Sequence, residues 1–446
     1  MFVMSYKSMR TRLGLLWICR RFVLPWAMVL GCPASSALAR ADETGAELAE
    51  RAAQALAANP ANSMPPTRTR NVSLPEWTWL QFQVHDETYP LTVDIVGSTV
   101  TPATKVMYML AGGSTNFHGS FFTPNQRNLA HFMCEKGYLV VGVTPREDNV
   151  PGDLRNLGFM ETWGLQKHSA DVRSVVTQLQ AALGLPYDVL GHSYGAITAL
   201  DYAARYTDTL VPTRVIALDI YSLDGAAQPK AREDAERTYR AHVQLLERGE
   251  YVDTGYALLK PAKSFAVAAP NVDSGTSRAK YGYSGTFSFE ALLFATVIDS
   301  SRADGVHSEI TGLPGDWLFK GGAVAGRYVF ADDPQGDRYL FTRTRYDTFL
   351  ATVDAVGSGL IAVALERDVW AVNADVAAYR LDWTAIRQPV IWFNSELGYG
   401  EHRHGAKLMR AAGNQHVMDA TLRSYGHGDM LWAEAARFDL WERLLQ

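Results

Sequence analysis

Tyr187-Asp188-Val189-Leu190-Gly191-His192-Ser193-Tyr194-Gly195-Ala196 is the stretch that decides the fold. An apolar strand pattern, Tyr187 to Leu190, runs into the pentapeptide G-x-S-x-G and then into a helical pattern from Ala196 to about Tyr206, with Ile197, Leu200 and Ala203 at helical spacing. A strand that turns sharply into a helix at a serine puts that serine in a strained position with its hydroxyl exposed. Glycine two residues before and two after lets strand and helix approach without a side-chain clash. The turn also aims the unpaired N–H groups of a new helix N-terminus at the serine.

A serine hydroxyl is a weak nucleophile near neutral pH and needs a base beside it. The candidate is His427, in Tyr425-Gly426-His427-Gly428-Asp429 near the end of the chain, after a short strand pattern from Met418 to Leu422. A helical run is expected after it, with Leu431, Ala435, Phe438, Trp441 and Leu445 on one stripe. Serine first and histidine last is the order of α/β-hydrolases, unlike that of chymotrypsin or subtilisin. Over about residues 75 to 446 the chain resembles that superfamily, in its capped esterase-, lipase- and proline-iminopeptidase-like branches.

The resemblance implies two oxyanion-hole donors. One is the N–H of the residue after the nucleophile, Tyr194; the other comes from the loop after the strand Val106 to Leu110, here Ala111-Gly112-Gly113-Ser114. Gly113 is the favoured second donor and Ser114 the alternative. For the acid of a Ser-His-acid triad, two strand ends compete. Glu396 follows the strand Val390 to Phe393 in Asn394-Ser395-Glu396-Leu397-Gly398, with glycine where related chains often carry aspartate. Asp219 follows the strand Arg214 to Leu218, where lipases of the pancreatic type carry theirs. Glu396 is favoured, Asp219 is its rival, and Glu401 stands behind both.

The rest of the chain supplies a scaffold for these groups. Strand patterns at Trp77 to Val84 and Leu91 to Val96 read as an antiparallel start. A helix from Arg127 to Lys136, a strand from Tyr138 to Val143 and a helix from His168 to Leu183 stopped by Gly184 complete strand–helix–strand units of a parallel sheet. The fold class is therefore α/β: an α/β-hydrolase fold with a mostly parallel, doubly wound sheet and a large, mostly helical cap inserted between the sixth and seventh strands. The expected divisions are a signal peptide over 1–39, a linker with a loose helix over 40–70, core over 71–220, cap over 221–386 and core again over 387–446. Cap helices are expected at Ala231 to Gly249, Ser288 to Ile298 and Tyr346 to Val369, with loops at Asn271 to Gly285 and Gly312 to Gly326. Phe289, Leu293 and Phe294 either face the substrate or pack inside the cap.

Composition agrees. The chain has 446 residues, 47% of them hydrophobic, enough for a large core, and its net charge of −5 gives no reason to expect nucleic acid. Lys7, Arg10, Arg12, Arg20 and Arg21 precede the apolar run Phe22 to Leu30, and Ala37-Leu38-Ala39 offers a cleavage site, so export to a periplasmic or extracellular destination is expected, with a lipid anchor at Cys32 as the alternative. That run is short for a spanning helix, and no transmembrane span is expected in the mature chain. Cleavage would leave Cys134 as the one cysteine, a buried thiol. His402 and His404 have ligand-like spacing without a supporting set, and Asp332, Asp333 and Asp337 read as a solvated turn before a calcium loop; no metal and no cofactor are expected.

The reading that results is a serine hydrolase of carboxylic esters, with a small and partly apolar ester as its partner. Two alternatives stand beside it. An aminopeptidase needs cap acids to hold an amine, for which Glu247, Glu250 and Asp253 are the candidates. A non-catalytic binding protein could use the same scaffold.

Overall fold

In the computed structural model, residues 42–58, 66–85, 87–122, 128–298 and 323–446 are described. The expectations for the signal peptide and Cys32, and most of the Gly312 to Gly326 loop, lie outside them.

A nine-stranded sheet forms the centre, in the order β1-β2-β3-β5-β4-β6-β7-β8-β9. The strands are β1 (Thr67–Ser73), β2 (Trp77–Val84), β3 (Leu91–Ser98), β4 (Lys105–Leu110), β5 (Tyr138–Thr144), β6 (Tyr187–His192), β7 (Arg214–Leu218), β8 (Val390–Ser395) and β9 (Val417–Leu422). β1 to β3 pair antiparallel, β3 meets β5 antiparallel, and every later pairing is parallel. Side chains alternate between faces with period two. Val106, Tyr108 and Leu110 of β4 enter one core with Val141, Ile197 and Trp392, while Met107 and Met109 enter the other with Val140, Ile216 and Phe393. Helices cover both faces, which is what a fully buried parallel sheet requires.

Local signals place the helices. Leu165–Leu183 buries Val172, Val175, Val176 and Leu179 and ends at Gly184, whose φ of 61° suits the left-handed cap. Leu129–Glu135 starts at Asn128, whose side chain accepts from His131 N–H. Two expectations change. The helix expected to be loose within 40–70 is Gly45–Ala58, and its Leu48, Ala49, Ala52 and Leu56 are fully buried in the main core. It lies on β3 so closely that a Cβ on Gly97 would sit 2.1 Å from the Gly45 carbonyl oxygen. The C-terminal run is not one helix but three short pieces, Asp429–Trp432, Ala436–Asp439 and Trp441–Leu445. Trp432 donates to the Gly119 carbonyl and Trp441 to that of Met430, so burying both indoles bends the chain and leaves Phe438 exposed.

Between β7 and β8 lies the long insertion. Its described helices are Pro229–Glu247, Leu259–Ala268, Phe289–Val297, Tyr346–Ala355 and Val363–Ala374. The last two were expected as one; Gly357 and Gly359 fall between them, Gly359 with a φ of 72°, and break the pattern. The insertion also contains two-stranded pieces: Asp273–Ser277 with Thr286–Ser288, Gly326–Val329 with Arg338–Phe341, and Val252–Asp253 with Ile361–Ala362. Phe294 stacks among Tyr339, Phe341 and Tyr346, Leu293 is fully buried, and Phe289 stacks on Phe265, so these three pack within the insertion.

Candidate active site

β6 runs straight into the helix Tyr194–Arg205 at Ser193, whose φ of 55° and ψ of −127° lie where only glycine is unstrained. The flanking glycines make the turn possible. A Cβ on Gly191 would sit 2.0 Å from the Gly195 carbonyl oxygen, and one on Gly195 would sit 2.1 Å from that of Leu110. Ser193 N–H donates to the Leu218 carbonyl at 2.9 Å, which ties the elbow to the end of β7.

That end of β7 carries one of the two candidate acids. Asp219, with a φ of 47° and no exposure, turns its carboxylate to His427: Oδ2 is 2.7 Å from Nδ1. Oδ1 accepts from Ser395 N–H at 2.7 Å and from Tyr399 N–H at 3.3 Å, and Oδ2 also accepts from Ser395 Oγ at 2.7 Å. Such a carboxylate holds the imidazole in one tautomer and stabilises its protonated form. Of the two candidate acids it is Asp219, not the favoured Glu396, that the structure places against His427. The Glu396 side chain accepts instead from Ser424 N–H at 2.7 Å. Glu401 is exposed and pairs with Arg403 and Thr421. Gly398 explains why: a Cβ there would lie 2.0 Å from Asp219 Oδ2, so the carboxylate from β7 already fills the place of a side chain from the β8 turn.

The His427 loop is tied to residue 192, the neighbour of Ser193. The His192 ring, buried beside Ser193, lies 4.4 Å from the His427 ring, and its Nε2 donates to the His427 carbonyl at 2.9 Å. Burial and the neighbouring imidazole push the His192 pKa well down, so its ring stays neutral. Asp429 anchors the same loop. It is fully buried, and its Oδ2 accepts from Gly426 N–H and from Ala325 N–H of the insertion, both at 2.7 Å, while Oδ1 accepts from Thr344 Oγ at 2.5 Å. Gly428 N–H donates to the Ala323 carbonyl at 2.8 Å. The insertion is therefore stitched to both sides of His427. The sequence reading missed this role for Asp429, although the residue stands two places from the histidine.

The loop after β4 lies against the elbow. A Cβ on Gly112 would be 3.0 Å from Ser193 Cβ, and one on Gly113 would be 2.4 Å from the Tyr194 ring. Ser114, with a φ of 56°, meets the insertion at Gly255. Behind the loop a cavity of about 30 Å³ is lined by Gly113, Tyr194, Glu147 and His168 but not by Ser193 or His427.

Other expectations find structural roles. Cys134 is buried, its Sγ–H faces the Val96 carbonyl, and burial pushes its pKa up. Asp337 accepts from Tyr328, Arg278 and Ala331 N–H and anchors the insertion. His404 pairs with Asp224, and no group of three metal-ligating side chains occurs among the described residues. Among those residues, no helix is long and apolar enough to cross a membrane.

A protein of Sulfolobus solfataricus assigned as a lipase superposes with a TM-score of 0.56 over 85% of this chain and 97% of its own, at 16% identity. The fold is that of the α/β-hydrolases. A thermostable carboxyl esterase from Bacillus coagulans is also similar, at 13% identity and a TM-score of 0.38 over 83% of this chain and 97% of its own, too low to carry an argument. No family model and no curated sequence matches the chain. Ser193 directly follows β6, Asp219 directly follows β7, and His427 lies in the loop after β9.

Proposed function

We propose that the chain is an exported serine hydrolase that cleaves carboxylic esters. The observation that carries this reading is the contact of His427 Nδ1 with the buried Asp219 carboxylate at 2.7 Å, on a loop clasped to the residue before Ser193. In the proposed reaction His427 takes the Ser193 proton as Oγ attacks the carbonyl carbon. The N–H groups of Tyr194 and of Gly113 (or Ser114) receive the oxyanion. His427 then gives its proton to the departing alcohol, and water activated by the same ring releases the acid. Nothing in these steps calls for a metal or a cofactor. Export rests on the basic and apolar pattern of the first 39 residues.

Esters are preferred to aminoacyl amides because two of the three cap acids expected for an amine lie in solvent, Glu250 paired with Arg248 and Glu247 exposed, while the third, Asp253, is exposed and accepts from Gly255 N–H; Asp253, whose charge reaches Tyr194, is the residue on which the aminopeptidase alternative rests. The alternative of a purely binding role drew its support from an uncertain acid, and the Asp219–His427 contact speaks against it.

A fluorophosphonate probe tests the reading directly. It should label Ser193 in the folded protein and not in Ser193→Ala, and p-nitrophenyl esters should turn over where aminoacyl anilides do not. Absence of a Ser193 adduct would overturn the proposal, and turnover of anilides alone would replace esterase by peptidase.

A further inference from the structure

β6 ends on a residue that its own pattern does not call for. Period two puts residue 192 on the same face as Leu190, which enters the core with Ile216, Leu218 and Phe393. Residue 192 also pairs in register with Leu218, the last residue of β7. An imidazole stands there instead, buried at the head of an apolar face. A buried polar ring needs a specific partner to satisfy it.

The His192 ring touches a loop on each side of the nucleophile. Nε2 bonds the main-chain carbonyl of His427 at 2.9 Å, and since a carbonyl only accepts, that nitrogen carries the hydrogen. Nδ1 faces the loop after β4, where a Cβ on Gly112 would lie 3.6 Å from it. The His192 and His427 rings are tilted by 40° with centroids 4.4 Å apart, so one ring rests on the other. Asp219 grips His427 differently, through the side chain, Oδ2 to Nδ1 at 2.7 Å. One such contact alone would leave the imidazole free to pivot. A hold on the main chain and another on the ring fix both its height and its direction.

We infer that His192 is a positioning residue for the proposed reaction, a neutral donor that pins the main chain of His427 while Asp219 turns its ring. This deepens the hydrolase reading and rests on it. A cationic donor in that place would stand against the imidazolium that His427 becomes on taking the Ser193 proton. An apolar side chain would leave the His427 carbonyl without this donor. A neutral imidazole donates and adds no charge, and burial together with the His427 ring keeps His192 neutral. Its one N–H is committed to the carbonyl, so it acts through His427 and does not replace it as the base.

His192→Phe and His192→Gln test this. Phenylalanine keeps a ring and removes the donor, while the glutamine amide puts an N–H near the place of Nε2. Active sites are counted from the p-nitrophenolate released once a p-nitrophenyl alkylphosphonate has reacted with Ser193 to completion, so misfolded protein does not enter the rate. Per counted site, kcat on p-nitrophenyl acetate should fall at least roughly tenfold in His192→Phe, with KM within about twofold of the parent, because both half-reactions use the same misplaced base and the binding groups are untouched. His192→Gln should recover at least about threefold over His192→Phe. His427→Ala, with His192 intact, should not react with the phosphonate. An unchanged kcat per site in His192→Phe would overturn the inference. So would equal losses in the two variants, a change confined to KM, or phosphonylation that survives His427→Ala. A parent protein that neither reacts with the phosphonate nor turns over the ester would overturn the hydrolase reading, and the inference with it.

Discussion

The carboxylate of Asp219 occupies the space that a side chain on Gly398 would fill, since a Cβ there would stand 2.0 Å from Oδ2. One strand end supplies the carboxylate proposed as the acid, and the neighbouring strand end makes room for it. Asp219→Asn should therefore lower kcat on an activated ester by about 10³–10⁴-fold, because an amide neither selects the right tautomer nor stabilises the imidazolium. Glu396→Gln should change it by less than about threefold. With the side chain at 219 removed, the vacated volume can accept a carboxylate from residue 398, so Asp219→Ala combined with Gly398→Asp should recover at least roughly tenfold over Asp219→Ala alone. Steady-state kinetics on p-nitrophenyl acetate measures all four; full activity in Asp219→Asn would remove Asp219 from the triad.

The elbow glycines face backbone, which cannot move aside. Gly191→Ala and Gly195→Ala would bring a methyl group within 2.0 and 2.1 Å of carbonyl oxygens, and each should cost about 3 kcal/mol or more. Gly152, with nothing within 4 Å of its Cβ position, serves as the control, and Gly152→Ala should stay within about 0.5 kcal/mol of the parent. Urea unfolding of the three variants decides it; similar midpoints for all three would mean that the elbow relaxes more freely than its geometry allows.

Strand positions and the elbow were legible because they depend on local pattern. Arg214 to Leu218 is a strand exactly as its apolar run predicts, and Ser193 sits at the junction of two periodicities. What depends on contacts between distant segments was not legible. The favoured Glu396 follows β8 but turns to Ser424 N–H, and Asp219 reaches His427 through the space that Gly398 leaves open, a contact between neighbouring strand ends. The glycine was the available signal, a position lacking a side chain where related chains carry one. The helix within 40–70 is expected loose because alanine-rich helices are weak alone; the stability of Gly45–Ala58 comes from burial against β3, which its own sequence does not reveal.

Asp429 joins the histidine loop to the insertion through three accepted hydrogen bonds, from Gly426, Ala325 and Thr344. Asp429→Ala leaves these buried donors without a partner and should destabilise the fold by about 3 kcal/mol. Asp429→Asn keeps the shape and one acceptor, and provides the informative variant. It should lower kcat more than it raises KM, because it loosens the placement of His427 and leaves the substrate-binding groups in place. Kinetics on one ester together with thermal unfolding separates the two effects; a stability loss with unchanged kcat would show that the latch holds the insertion without positioning the histidine.

Behind the loop that carries Gly112 and Gly113, His168 and Glu147 form a buried ion pair, Nε2 to Oε1 at 2.9 Å, with His168 Nδ1 donating to the Gly164 carbonyl at 2.9 Å. Burial would lower the His168 pKa; the Glu147 charge and hydrogen bond outweigh it and raise the pKa to about 9. In the unfolded chain the group titrates near 6.5. Because the folded value is the higher one, the pair's contribution is fully present below about pH 6.5 and is lost as pH rises through about 9. A difference of about 2.5 pH units corresponds to roughly 3 kcal/mol. Urea unfolding at pH 6, 7.5 and 9.5 should show the parent losing stability on that order across the window, while His168→Gln starts lower and loses much less. Parallel losses in the two proteins would mean that the pair is not ionised behind the loop, and that whatever holds Gly112 and Gly113 against Ser193 does not depend on it.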